Sequence, residues 1–502
     1  MYNKIKQFLK HSTIYSIGII ATKGVGVITL PIYTKFISVP EFGLFGLIEI
    51  SIAILVEIFL LGQANSILMF NNSPEFAEEK KSNFFTIIIS VLLVNIFFLL
   101  SFEFLKQPLL GLLNVGEEYY IYYSLGLVIV FLRVINLLFL YKIRADEKSV
   151  LYTLITLIKI TLTLGFVIYF VGFERIGVLG ILYSYLIAEG VIVLIQLPLM
   201  IKDMQFRIRK EVIDTAAKFG TPLIFGSIGI MLLNLSDRYM LWYFTNLEVV
   251  GLYDLGYRVA GVLNMFLIMP FNLALLPSAY KMYKQPGDKR YYGKLMTYLC
   301  FVLVWMGLGL SLISKEIIKV FALNPDYWAA YTVVPIIVLA YIFSATRNFA
   351  SLGLFLTKNT KHIAWITILA ALINIGLNFW LIPIYGMMAA AYNTLFAFVV
   401  YYFLTKYFSD KYYNISYENW KLIKIFSTGI ILYILPSLIE PENSWYFLGV
   451  KIMVFLTFPV ILFFIKTYEP NEIQTIIKII KYWKDPSNIK NQFINTIKNI
   501  KR

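Results

Sequence analysis

Lys23, Arg133, Lys159, Arg238, Arg258, Arg347 and Lys451 stand inside long runs of apolar residues. A cation at the centre of a lipid-exposed helix costs about 2.5–3.5 kcal/mol on insertion scales, so these side chains are expected to face a protein-lined cavity or a partner. The acids in comparable positions are Glu49, Glu57, Glu189, Asp237 and Asp254, with Glu103 nearer the end of its run. Fixed positive charge in a cavity poor in water attracts anions, and the chemistry it predicts is electrostatic capture of a negatively charged cargo. Lys23, Arg133, Lys159, Arg238, Arg258 and Arg347 are the candidate cavity cations. Plainer roles stay open for several of them. Lys451 can snorkel to the headgroups, and Asp237 and Arg238 can pair with charges on neighbouring helices. Arg133, Lys159 and Arg347 can tie helices together, and Asp254 and Arg258 have the i,i+4 spacing of an intrahelical pair.

The carboxylates suggest a second kind of chemistry. A buried acid that gains and loses a proton or a sodium ion biases a two-state machine, which makes Glu49, Glu57, Asp237 and Asp254 candidates for ion coupling. Glu49 and Glu57 are eight residues apart, within about 80° around a helix axis, so one cavity face can hold both. Neutralisation of nearby cations is the structural alternative.

The elements that must position these groups are transmembrane helices. Of 502 residues, 59% are hydrophobic and 15% charged, where a soluble domain carries about 25% charged residues. Spans of about 20 apolar residues fall near 12–37, 42–70, 82–105, 119–141, 150–172, 177–201 and 219–245, and then near 251–279, 294–314, 331–357, 363–383, 386–406, 421–439 and 445–466. The reading is an all-α integral membrane protein of about fourteen helices. The lysines ahead of the first span imitate a signal peptide, but the span is too long for one and is read as a retained helix. Single Cys300 excludes an intrachain disulfide, and two histidines give no zinc cluster.

Lys and Arg fall mainly in alternate loops, which places both termini in the cytoplasm. The opposite loops carry Glu41, Glu117, Glu118, Glu248, Asp326, Glu440 and Glu442. Tags at Asn71, Gln285 and Arg502 are therefore expected to be cytoplasmic and tags near Glu117 and Glu442 external. Labelling from the wrong side at any of them would break the assignment. Topology and a basic tail account for the net charge of +15, so nucleic acid is not an expected partner, whereas membrane lipids are.

One stretch repeats without a gap at an offset of 208 residues: FISVPEFGLFGL, Phe36 to Leu47, matches FTNLEVVGLYDL, Phe244 to Leu255. Gly43 aligns with Gly251, Leu44 with Leu252 and Leu47 with Leu255. Both runs lie on the outer turn between the first two helices of a six-helix set. A fainter echo relates KSVLYTLITLIK to KHIAWITILAAL. Two six-helix lobes, 1–201 and 202–410, are expected to enclose a central cavity as in parallel-repeat transporters, followed by two further helices in 411–466 and a basic cytoplasmic tail, 467–502.

No GxxxxGK[ST], GxSxG or HExxH motif is present, so an enzyme or a built-in ATP motor is not expected, and no cofactor is implied. A gradient, the membrane potential or the cargo's own concentration must supply the drive. Three segments carry a family likeness: TLPIYTKFISVPEFGLFGL after the first span, NLSDRYMLWYFTNLEVVGLYDLGYRV at the seventh and eighth, and LINIGLNFWLIPIYGMMAAAYNT near the eleventh and twelfth. They resemble Wzx-type polysaccharide flippases of the multidrug/oligosaccharidyl-lipid/polysaccharide exporter (MOP) superfamily, from about residue 10 to about residue 410. That resemblance implies a flippase in the bacterial cytoplasmic (inner) membrane that moves an undecaprenyl-diphosphate-linked oligosaccharide to the outer leaflet by alternating access. The candidate cations would then hold the diphosphate, and other polysaccharide assembly proteins would be partners. Lipid II flippases and gradient-driven multidrug exporters of the same superfamily are the alternatives. In the former, cations on the first, second and eighth helices line the cavity; Lys23 and Arg258 match, but the second span carries Glu49 and Glu57 instead. The latter favour acidic cavities.

Overall fold

Long apolar runs joined by short turns become helices because a backbone in lipid must satisfy its hydrogen bonds within each segment. The computed structural model describes Gly24, residues 26–72, Phe76, and residues 79–112, 116–437 and 444–474, and no strand occurs among them. Lys23, Glu440, Glu442 and the tail beyond residue 474 lie outside the described residues. Ten of the described helices are long and apolar enough to cross a membrane. One is Lys361–Tyr412, whose 52 residues are broken at Gly386, where φ is 55° and ψ is −134°. Only glycine adopts that backbone without strain, so the helix holds two of the expected spans, meeting where the sequence placed their boundary.

The chain divides into two compact units: Met1–Lys289 with Ile313–Ile415, and Arg290–Leu312 with Ser416–Arg502. The helices of the first unit that bear on the site are α1 (Val39–Phe59), α2 (Gln63–Asn72), α3 (Tyr120–Ala145), α4 (Ser149–Val167), α5 (Val178–Lys202), α6 (Lys210–Phe244), α7 (Leu247–Leu263), α8 (Val334–Ala350) and α9 (Lys361–Tyr412). A core built on Phe59, Phe84, Val130, Leu138 and Ile192 packs α1, α3 and α5 with the helix Lys80–Phe104. A smaller one on Leu233, Ala370, Ala397 and Tyr401 packs α6 and α9.

The internal repeat appears as a local two-fold contact. Ser38 and Asn246, 208 residues apart, are the equivalent N-caps of α1 and α7. The Glu41 carboxylate accepts from the Ser38 backbone N–H at 3.0 Å, while the Asn246 side chain accepts from the Val249 N–H at 3.0 Å, so each cap satisfies a donor that its helix leaves open. One turn on, the helices cross backbone to backbone. A Cβ on Gly43 would overlap the Leu247 carbonyl, and a Cβ on Gly251 would overlap the carbonyl of Val39, the counterpart of Leu247. Only hydrogen at both positions permits this approach. Gly43→Ala is therefore expected to cost about 1–3 kcal/mol of stability, with Gly251→Ala similar, read as a lowered melting temperature of the purified protein. Unchanged melting would mean that the crossing parts freely. The opposite end of the same unit is also joined: Gly62, at φ 68°, abuts the Gly220 carbonyl, and the Gln63 amide donates to the Ala216 carbonyl at 3.1 Å.

In the second unit, the Trp305 indole donates to the Phe455 carbonyl at 2.9 Å and stacks on its ring, and Lys451 is buried beside Phe447. Lys294 and Lys421 hold the Glu469 carboxylate at 2.6 and 2.9 Å. The hydrogen bond from Lys294, then that from Lys421, keeps this carboxyl at about 2 rather than its ordinary 4.5. Because the folded value is depressed, this stabilisation is complete above about pH 5 and fades only as pH falls toward 2.

Candidate functional site

A cavity of about 620 Å³ lies within the first unit, and its wall brings together four of the predicted residues: Arg133, Lys159, Arg258 and Glu49. Glu189, which sequence reading noted as embedded without assigning it to the site, joins them.

One side of the cavity is organised by Glu189 on α5. Its Oε1 accepts from Arg133 Nε of α3 at 2.8 Å and lies 2.6 Å from Lys159 Nζ of α4. Its Oε2 accepts from the Asn136 amide at 2.5 Å. Arg133 and Asn136 share a face of α3 because they are three residues apart. The carboxylate is 1% exposed, whereas the two cations keep 23% and 28% of their side-chain surface. The negative charge is thus enclosed by three helices, and the positive charge is left facing the space.

Arg258 on α7 forms the other cluster. Nη2 donates to Glu49 of α1 at 2.5 Å and Nε donates to Asp254 at 2.6 Å, the latter the expected i,i+4 pair. The guanidinium also lies over the rings of Phe42 and Phe45, 5.4 Å from each, which cradle it by cation–π attraction. Asp254 is held from behind by Arg238, whose Nε lies 3.3 Å away and whose Nη1 reaches Asp237 at 3.0 Å. Tyr253 donates to the second oxygen of Asp237, and the Thr394 hydroxyl reaches it at 3.4 Å. Arg238 stacks over Tyr257 at 4.0 Å. Arg238, Asp237 and Asp254 are all buried and lie behind the wall as its support.

The remaining predicted residues go elsewhere. Arg347 does not line the cavity; its guanidinium lies over the Tyr401 ring at 4.6 Å, between α8 and α9. Glu57 is half-buried on α1 and is not part of the wall. Lys23 is outside the described residues. Three cations and two carboxylates therefore face one another across the described wall, a smaller positive excess than the sequence suggested, since the helices carry their own counter-ions. Tyrosines were not singled out by sequence, yet Tyr33, Tyr185, Tyr257 and Tyr341 also line the space. Among the described residues no group of His, Cys, Asp and Glu has the makings of a metal site.

A family described as polysaccharide biosynthesis protein matches residues 8–283, more than half of the chain and all of the helices that build the cavity wall except α8. The chain belongs to that family. No curated protein sequence matches it significantly. Solved structures show its fold. The lipid II flippase MurJ in an inward closed conformation aligns with a TM-score of 0.72 at 15% identity, covering 90% of this chain and 99% of MurJ. An inward-facing multidrug resistance MATE family transporter of the MOP superfamily gives 0.63 at 12% identity, covering 83% and 99%. An outward-facing one gives 0.56 at 14%, covering 80% and 95%. This polysaccharide biosynthesis family member is a multi-pass membrane protein with the MOP-superfamily fold, and its fold neighbours are transporters and flippases.

Proposed function

We propose that the protein carries an undecaprenyl-diphosphate-linked oligosaccharide from the cytoplasmic to the outer leaflet of the bacterial cytoplasmic membrane, by alternating access of its two repeats around the cavity. The observation that carries this reading is the set of three cations, Arg133, Lys159 and Arg258, presented to one cavity by helices of both repeats. Arginine forks match phosphate oxygens in bidentate geometry, and two separated cationic clusters suit a diphosphate better than a single charge. A volume near 620 Å³ is that of a pocket for a small head group, within the range of about 300–1,000 Å³, so the polyprenyl chain stays in the bilayer. The family's role in polysaccharide synthesis supplies a glycan as the rest of the cargo. The glycine crossing joins the repeats at the end that charge assigns to the outside, and Gly62 with Gly220 joins them at the other. Arg347 and the Asp237–Arg238 pair serve the second repeat's architecture, and Glu49 is the carboxylate best placed for coupling to an ion gradient.

Two measurements test this together. Vesicles containing the purified protein are expected to expose a fluorescent undecaprenyl-diphosphate oligosaccharide to the opposite leaflet, and a deletion strain is expected to accumulate that lipid inside the cell with unchanged drug sensitivity. Increased sensitivity to cationic drugs without glycan accumulation would replace this reading with that of a multidrug exporter.

A further inference from the structure

The seam between α1 and α7 has three levels. Gly43 meets Gly251 and Leu247 at its end, a Cβ on Gly46 would lie 3.3 Å from the Asp254 carboxylate, and Glu49 meets Arg258 at the cavity. The last of these is an ion pair between the two repeats. Asp254, by contrast, belongs to the same helix as Arg258, is 6% exposed and is anchored by Arg238. Glu49 is 36% exposed and stands on the opposite repeat. Of the two carboxylates that saturate Arg258, only Glu49 can leave without stripping a buried pair. Given the flippase reading above, we infer that Glu49 is an internal anion that holds the cargo's phosphate place on Arg258, so that loading a diphosphate and releasing the seam are one event.

Charge governs the exchange. A phosphate oxygen that reaches Arg258 from the cavity arrives beside an ionised Glu49, and like charges at contact distance in a poorly hydrated space repel strongly. Either the cargo is rejected or Glu49 yields its place. Because Glu49 is carried by α1, its withdrawal dissolves the charge-assisted tie between the repeats at the α1–α7 seam. Neutral contacts remain at this end: the Thr34 hydroxyl donates to the Phe321 carbonyl at 2.8 Å, the Tyr327 hydroxyl to the Ile37 carbonyl at 2.8 Å, and Ser51 and Tyr239 share a hydrogen bond at 2.5 Å. Neutral bonds are roughly half as strong as charge-assisted ones. The glycine crossing contributes packing with no ionic hold. The Arg133–Glu189–Lys159 cluster lies wholly within the first repeat, so cargo binding there orients the head group without loosening the seam.

The test uses the full chain in nanodiscs, with undecaprenyl diphosphate as the probe and spin labels at the exposed positions Glu118→Cys and Glu248→Cys; the native Cys300 is buried. In the parent, the probe is expected to move the label pair toward longer separations. Glu49→Gln is expected to bind the probe about tenfold more tightly, a coupling of ordinary allosteric size, and to populate the longer separation without it. Glu49→Asp keeps the charge but is one methylene short, and should lie between the two; it also serves if the glutamine variant folds poorly. Equal or weaker binding by both variants, with an unchanged separation, would overturn the inference. If the parent does not bind undecaprenyl diphosphate but Glu49→Gln still lengthens the separation, the flippase reading fails and the latch stands, awaiting a different anion.

Discussion

Arg258→Ala is expected to lower flipping by about a hundredfold or more while leaving protein abundance near that of the parent. Truncating one member of a buried, hydrogen-bonded charge pair costs about 2–5 kcal/mol, and about 2.7 kcal/mol is already a hundredfold. Arg258 satisfies the conditions for the upper part of that range. It is gripped by two carboxylates, cradled by Phe42 and Phe45, and presented to the cavity. Arg258→Lys keeps the charge and loses the fork, so partial activity is expected. Lys23→Ala carries the same expectation from the sequence alone. Initial rates of lipid-linked oligosaccharide exposure in vesicles, normalised to reconstituted protein, provide the measurement. Parental rates for both Ala variants would remove phosphate binding from these side chains.

Glu189→Ala should show its effect in folding before it shows in transport. This carboxylate is 1% exposed and neutralises Arg133 and Lys159 from separate helices. Its removal leaves two cations uncompensated inside the bilayer, and breaking a buried pair in this way costs about 3–5 kcal/mol. A sharp fall in melting temperature and in membrane-inserted yield is expected. A triple variant with Arg133, Lys159 and Glu189 all replaced by Leu or Met should recover most of that loss, since apolar packing often matches a buried ion cluster in stability, yet it should not flip the cargo. Recovery of both stability and flipping would show the cluster to be a structural tie only.

Much of the architecture is legible in the chain because lipid leaves so few options: long apolar runs become helices, and even the break at Gly386 fell between two anticipated spans. The site was legible in its members more than in its pairings. Asp254 and Arg258 pair as their spacing requires, and Asn136 follows Arg133 on one face of α3. Glu189 is 56 residues from Arg133, and no local rule links them. Glu49 and Arg258 were within reach of inference, because the 208-residue offset maps Glu49 onto Tyr257, next to Arg258, and counterparts meet at a two-fold crossing. Glu57 shows where the helical-wheel argument stops. Its angle from Glu49 suits a shared face, but eight residues carry it about 12 Å further along the axis, and it is not among the residues that line the cavity. Arg347 was indistinguishable in sequence from the cavity cations; an aromatic ring on α9, which only tertiary packing brings close, receives it instead.

The crossing of Gly43 with Gly251 has the form of an isologous interface, in which position i of one copy touches position j of the other and j touches i in return. Val39 faces Gly251 as Leu247 faces Gly43, so the patch is complementary to itself. Two half-length chains bearing it would close into a symmetric dimer. With the six spans per half expected from the sequence, each half would return to the face on which it began, and a single linker on that face would join two copies without inverting either. The crossing thus has the geometry of a homodimer interface held within one chain. Three positions after the paired glycines one half carries Gly46 and the other Asp254, so the ion pairs of Asp254 with Arg238 and Arg258 exist on one side of the seam alone.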